Sequence, residues 1–147
     1  MKIYFAGSIR GGRENSVIYA QLIDFLKKFG EVLTCHIGDN NVTNSEKQFT
    51  EKEIHDRDIK WLSEADVVIA EVSTPSLGVG YEIGRAVETG KPVLCLYNSH
   101  ADFELSALIG GSESLNVINY HHLSETFSEI EKFFASIEQG AGLRAES

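Results

Sequence analysis

Asp66-Val67-Val68-Ile69-Ala70-Glu71-Val72 leads into Ser73-Thr74-Pro75-Ser76 and then into Leu77-Gly78-Val79-Gly80-Tyr81-Glu82-Ile83-Gly84-Arg85-Ala86. Residues 66–72 form an almost unbroken apolar run, the pattern of a strand covered on both faces. Ser73–Ser76 carries turn chemistry. Gly78–Thr89 reads as a helix, with Gly90 as its stop. A doubly buried strand followed at once by a helix is the unit of a parallel α/β sheet.

The same unit repeats outward in both directions. Upstream, Lys2–Ala6 reads as a strand, Gly7–Gly12 as a loop and Glu14–Phe29 as a helix. That helix has an apolar stripe at Ile18, Leu22, Phe25, Leu26 and Phe29. Glu31–Ile37 is expected as a second strand, Gly38–Ser45 as a polar loop, and about Glu46 to Glu64 as a helix. Downstream, Pro92–Tyr97 and Leu115–Tyr120 read as strands. Leu123–Ile137 reads as the last helix, striped at Phe127, Ile130, Phe133, Phe134 and Ile137. The sum is a Rossmann-like or flavodoxin-like doubly wound sheet of five parallel strands with helices on both faces. Residues 1–138 make one domain, and 139–147 is expected to be a disordered tail.

In such a sheet the ligand crevice lies at the carboxyl ends of the strands, where strand order reverses. That rule selects Ala6–Arg13, Ser73–Glu82 and the segment after Tyr97. Charge points the same way. The 147 residues hold 13 Lys and Arg against 22 Asp and Glu, a net charge of −9. This excludes a general nucleic-acid coat or an anionic membrane surface as partner, since both need a basic face. Yet residues 1–30 carry five basic and two acidic side chains, so the electropositive segment coincides with the first crevice loop.

Cys35 and Cys95 lie in apolar runs and read as buried free thiols of a reducing compartment. No apolar run reaches the roughly 18 residues of a membrane span. A cytosolic chain follows, with the nucleus open to it. The five histidines show no metal spacing with the cysteines, so no metal site is expected, and without a Gly-x-Ser-x-Gly elbow a serine hydrolase is not expected either.

Three segments could carry chemistry. Gly7-Ser8-Ile9-Arg10-Gly11-Gly12-Arg13 can cradle an anion with backbone N–H groups, the Ser8 hydroxyl and two guanidiniums; a tight turn with solvated arginines is the plainer alternative. Glu82 lies in the first turns of its helix, facing a glycine-rich opening. It either complements the helix dipole or serves as a nucleophile. Asp58 shares a helix face with Ile54, Trp61 and Leu62, so a carboxylate sits on an apolar stripe. A salt bridge to a basic side chain elsewhere would explain it; paired with Glu82 it makes a two-carboxylate glycosidic site.

Tyr4-Phe5-Ala6-Gly7-Ser8-Ile9-Arg10-Gly11-Gly12-Arg13-Glu14, Asp66–Val72 and Pro75–Ala86 together resemble the nucleoside 2-deoxyribosyltransferase family, within it the enzymes that hydrolyse deoxynucleoside monophosphates. The resemblance covers about residues 2–120. It implies a homodimer that cleaves the N-glycosidic bond of 2′-deoxynucleoside 5′-monophosphates, without a cofactor. Glu82 would be the nucleophile, Asp58 the carboxylate assisting the leaving base, and Tyr4 a lining of the sugar site. Gly7, Ser8, Ile9, Arg10, Gly11, Gly12, Ser76 and Gly78 would hold the 5′-phosphate. Ser106 would be lent by the neighbouring subunit. Transfer of deoxyribose to a second base, a nucleotide-binding module without turnover, and a flavodoxin-like electron carrier are the rival readings.

Overall fold

The computed structural model describes residues 1–9, 13–39 and 41–146. The expected phosphate contacts of Arg10, Gly11 and Gly12 lie outside the described residues. Strand β1 (Lys2–Gly7) leads to helix α1 (Arg13–Leu26), β2 (Glu31–Val32) and a 3-10 turn at Cys35–Gly38. There follow α2 (Val42–Glu46), α3 (Glu51–Glu64), β3 (Val67–Glu71), α4 (Leu77–Glu88) and β4 (Val93–Asn98). The chain then runs through α5 (Ala107–Gly110), β5 (Asn116–Tyr120) and α6 (Leu123–Glu146).

The five strands form one sheet in the order β2-β1-β3-β4-β5, and every pair is parallel. After β2 the chain crosses back over β1 to begin β3, so the order reverses between β1 and β3. Alternation along each central strand splits the core into two layers. Ile3, Phe5, Val67, Ile69, Leu94 and Leu96 face one side, under α1 and α6. Tyr4, Ala6, Val68, Ala70, Val93 and Cys95 face the other, under α3 and α4. β1 and β3 are buried almost end to end, as expected of strands covered on both faces.

Four local expectations are corrected. β2 is two residues long rather than seven. Past Val32 the chain turns, and the Thr34 hydroxyl takes over the pairing: it accepts from Phe5 N–H at 2.9 Å and donates to Phe5 C=O at 2.7 Å. A side chain thus supplies the two hydrogen bonds that a longer strand would have made. Second, Cys35 is exposed, because it falls in the turn beyond the shortened strand; Cys95 is buried as expected, and both thiols are free. Third, the helix expected from about Glu46 is two helices. Thr50 and Glu53 form a reciprocal capping box that starts α3 at Glu51. The expected loop 38–45 contains most of α2. Finally, α6 continues past Ile137 to Glu146. Glu, Gln, Ala, Leu and Arg in this stretch favour helix, and no proline interrupts it.

Candidate active site

The switch point brings the carboxyl ends of β1 and β3 side by side, with Gly7 opposite Glu71. Two loops leave from there: one through Ser8 and Ile9, the other through Ser73-Thr74-Pro75-Ser76. Gly7 has no room for a side chain, since a Cβ would stand 2.8 Å from the Tyr19 ring. Ser8 is buried and Ile9 half-buried.

Ser76 caps α4, its Oγ accepting from Val79 N–H at 3.2 Å. A Cβ on Gly78 would lie 3.8 Å from Ser76 Oγ and 4.0 Å from Glu82 Oε1. Gly78 therefore keeps open the space between the serine and the carboxylate. Glu82, on the next turn, has one oxygen hydrogen-bonded by the Tyr4 hydroxyl of β1. Its Oε2 is buried and has no hydrogen-bond partner among the described residues. Burial pushes the Glu82 carboxyl up to about 7, the Tyr4 hydrogen bond opposes that rise, and the charge of Asp58 adds to it. Tyr4 is itself 1% exposed and is held protonated by burial and by the charge of Glu82. A protonated tyrosine remains a donor to the carboxylate at all physiological pH.

Asp58 comes from α3, which packs on the same layer. Its basic partner is its own neighbour: Arg57 Nε and Nη2 meet Asp58 Oδ1 at 3.0 and 2.9 Å. Arg57 also donates to Glu46 Oε1 at 2.7 Å and lies over the Trp61 ring, 4.9 Å from its centre. His36 stands beside this group, 3.4 Å from Glu46 Oε1, with its ionisation suppressed first by burial and then by Arg57. Burial raises the Asp58 carboxyl above its usual range, against the pull of Arg57. The salt bridge expected to a basic side chain elsewhere is thus made to the sequence neighbour instead, and the charge of Asp58 still bears on Glu82.

The structure thus gathers Tyr4, Asp58, Ser76, Gly78 and Glu82 at the switch point, with Gly7 and Ser8 on the adjoining loop. Ser106 stands apart from the carboxylates. It precedes α5 and, with Ser76, lines a cavity of about 640 Å³ beside α4. Leu77 and Leu108 flank this cavity and are 97% and 86% exposed. Sequence reading missed Arg57, Glu46 and His36 as company for Asp58. The i+1 charge pair Arg57-Asp58 was the available signal, masked by the many other charges of that helix.

Chemically, the arrangement offers a buried anionic oxygen with a free lone pair, a second carboxylate close enough to feel its charge, and a neutral donor orienting the first. Two unequal carboxylates of this kind suit nucleophilic attack on an acetal-like carbon with proton transfer to the leaving group.

The family model described as nucleoside 2-deoxyribosyltransferase matches residues 3–136. A 5-hydroxymethyl-dUMP N-hydrolase of Rattus norvegicus is 49% identical over 112 residues, covering 75% of this chain and 69% of the relative. A protein of the same name from Tetraodon nigroviridis is 43% identical over 140 residues, covering 92% and 99%. Among solved structures, a CMP N-glycosidase of Clostridium botulinum superposes with a TM-score of 0.66 at 21% identity, covering 90% of this chain and 99% of that one. This last match speaks for the fold.

Proposed function

The chain belongs to the nucleoside 2-deoxyribosyltransferase family, and we propose that it is the hydrolytic kind of member: an N-glycosidase that splits 2′-deoxynucleoside 5′-monophosphates into free base and 2-deoxyribose 5-phosphate. The observation that carries this reading is Glu82, with one oxygen held by Tyr4, the other buried without a partner among the described residues, and the charge of Asp58 close by. The relatives' names point to the same chemistry and to a monophosphate substrate.

In the first step Glu82, ionised, attacks C1′. The C1′–N bond breaks, its electron pair goes to the base, and Asp58, which must hold a proton in the substrate complex, delivers it to the leaving nitrogen. In the second step water attacks C1′ of the deoxyribosyl ester, Asp58 takes the water's proton, and Glu82 leaves as carboxylate. Both transition states carry positive charge on the sugar ring, which Glu82 offsets at short range in a site shielded from water. The missing 2′-hydroxyl makes that charge easier to form, so deoxy substrates are favoured. The residues proposed to hold the 5′-phosphate are Gly7, Ser8, Ile9, Arg10, Gly11 and Gly12 after β1, with Ser76 and Gly78 at the N-terminus of α4.

The decisive experiment follows base release from a panel of deoxynucleoside monophosphates with the parent and Glu82→Ala. Loss of turnover in the variant, together with a deoxyribosyl adduct on Glu82 in the quenched parent, is the expected result. Near-normal turnover by the variant would remove Glu82 from the mechanism. Adding free adenine to the dGMP reaction separates the sister activity: a new nucleotide would mean transfer.

A homodimer is part of this reading. Leu77 and Leu108, fully presented to solvent beside Ser106, form an apolar rim of the kind that marks a contact surface. A second subunit seated there would place its own Ser106 near this site, and sedimentation at micromolar concentration would detect the pair. Among the described residues no helix is long and apolar enough to cross a membrane. The two free thiols suit the cytosol, the compartment proposed here, with access to the nucleus.

A further inference from the structure

One buried acid plays no part in the steps above. Glu71 ends β3 and is 3% exposed, the one carboxylate in the buried core among the described residues. Its Oε1 accepts from Ser73 N–H at 2.7 Å, and its Oε2 accepts from Ser73 Oγ at 3.0 Å and from the Tyr120 hydroxyl at 2.5 Å. Ser73 Oγ in turn accepts from Asn98 N–H at 2.8 Å. One side chain therefore ties the end of β3 to the ends of β4 and β5.

The same carboxylate reaches toward the other loop of the site. Its register partner is Gly7, and the next residue, Ser8, is hydrogen-bonded through its backbone to the Tyr19 hydroxyl. Tyr19 feels the charge of Glu71 and presses its ring against Gly7. On the far side, the turn that Glu71 grips at Ser73 continues through Thr74, which accepts from Asn15 of α1 at 2.9 Å, to Ser76. A carboxylate in the middle of a sheet is costly to bury, and an apolar residue would satisfy the pattern of β3 better. What Glu71 supplies instead is a set of directed bonds to Ser73 and Tyr120, made at the position whose backbone pairs with Gly7 and so stands beside the Ser8 loop.

We propose that Glu71 is a positioning residue: it fixes the spacing between the Ser8 loop and the Ser73–Ser76 turn, and with it the fit of the 5′-phosphate between them. This rests on the reading that a phosphate monoester docks at that place. Glu71→Gln keeps the size and one acceptor. It turns a donor toward Tyr120 and Ser73 Oγ, both of which now donate.

The test measures kcat and KM for a deoxynucleoside monophosphate, inhibition by inorganic phosphate, and the melting temperature, for the parent, Glu71→Gln and Tyr120→Phe. Glu71→Gln should raise KM and the phosphate inhibition constant together by about tenfold, with kcat within about threefold. Tyr120→Phe should move both in the same direction by less. Unchanged KM and phosphate inhibition in the two variants overturn the proposal, as does a lowered melting temperature with no KM effect. If Glu71→Gln does not fold, Tyr120→Phe decides by the same readouts. A parent that ignores inorganic phosphate and turns over unphosphorylated deoxynucleosides equally well refutes the phosphate reading itself, a result distinct from parent-like variants.

Discussion

The hydroxyl of Tyr4, the third residue of β1, donates to the carboxylate of Glu82, on the second turn of α4. This bond joins a strand buried from its second residue onward to the residue that must attack. It also opposes the rise of the Glu82 pKa caused by burial.

Removing the donor should therefore raise that pKa further. Tyr4→Phe is expected to shift the acidic limb of the pH–rate profile to higher pH. Turnover at pH 7 should fall by about 10- to 100-fold, the cost of one hydrogen bond to a charged group. A base-release assay across pH 5–9 checks both, and an unmoved limb would mean that Tyr4 only lines the sugar.

Glu82 itself should link activity and stability in opposite senses. As a nucleophile it must be ionised, so kcat/KM should drop about tenfold per pH unit below about 7. For folding, a carboxyl raised from 4.5 to about 7 keeps its proton longer in the native state. Stability from that proton is full below the unfolded pKa and is lost as pH rises through about 7. Glu82→Gln, which never ionises, should then be more stable than the parent at pH 8 by about 1–3 kcal/mol. The gain should vanish below pH 4.5. Urea titrations at two pH values measure it; equal midpoints at pH 8 would contradict the burial of that charge.

Asp58→Asn should lower kcat by about 10²- to 10⁴-fold for ordinary bases, since the amide cannot pass a proton to the leaving nitrogen. The loss should shrink with a base that leaves readily as an anion. Comparing two substrates of different leaving-group ability provides the check, and an equal loss for both would assign Asp58 to binding alone.

Thr34→Val is the prediction for the fold. Valine has nearly the same shape, but it leaves the Phe5 N–H and C=O without their buried partners. The expected loss is about 1–3 kcal/mol. A shift in denaturation midpoint at unchanged slope measures it, with little effect on KM, because Thr34 touches neither carboxylate.

The five-stranded parallel sheet and a crevice at its strands' carboxyl ends were legible from apolar runs, because β1, β3 and β4 are central and each has an unmistakable pattern, whereas the strand order was not. Nor was the edge. Glu31–Ile37 has the composition of a strand, yet a single hydroxyl at Thr34 ends the pairing, and no periodicity reveals a side chain standing in for backbone. The capping box at Thr50 and Glu53 was readable and would have split the helix correctly; the charge run around it drew the boundary too early. Glu82 and Asp58 stood out because each breaks a local pattern, one at a glycine-rich helix start and the other on an apolar stripe. Glu71 broke a pattern too, but an acid at the last position of a strand reads as the beginning of a loop.

The lone buried oxygen of Glu82 has a pharmacological consequence. Among the described residues no side chain meets that oxygen, so a ligand bringing a cation to it would be favoured. A phosphorylated pyrrolidine or related iminosugar, cationic where the sugar ring becomes electron-poor during bond cleavage, would imitate that fleeting state and outbind the substrate. Its hold should tighten as the medium becomes alkaline enough to ionise Glu82, and loosen again once the ring nitrogen sheds its own proton.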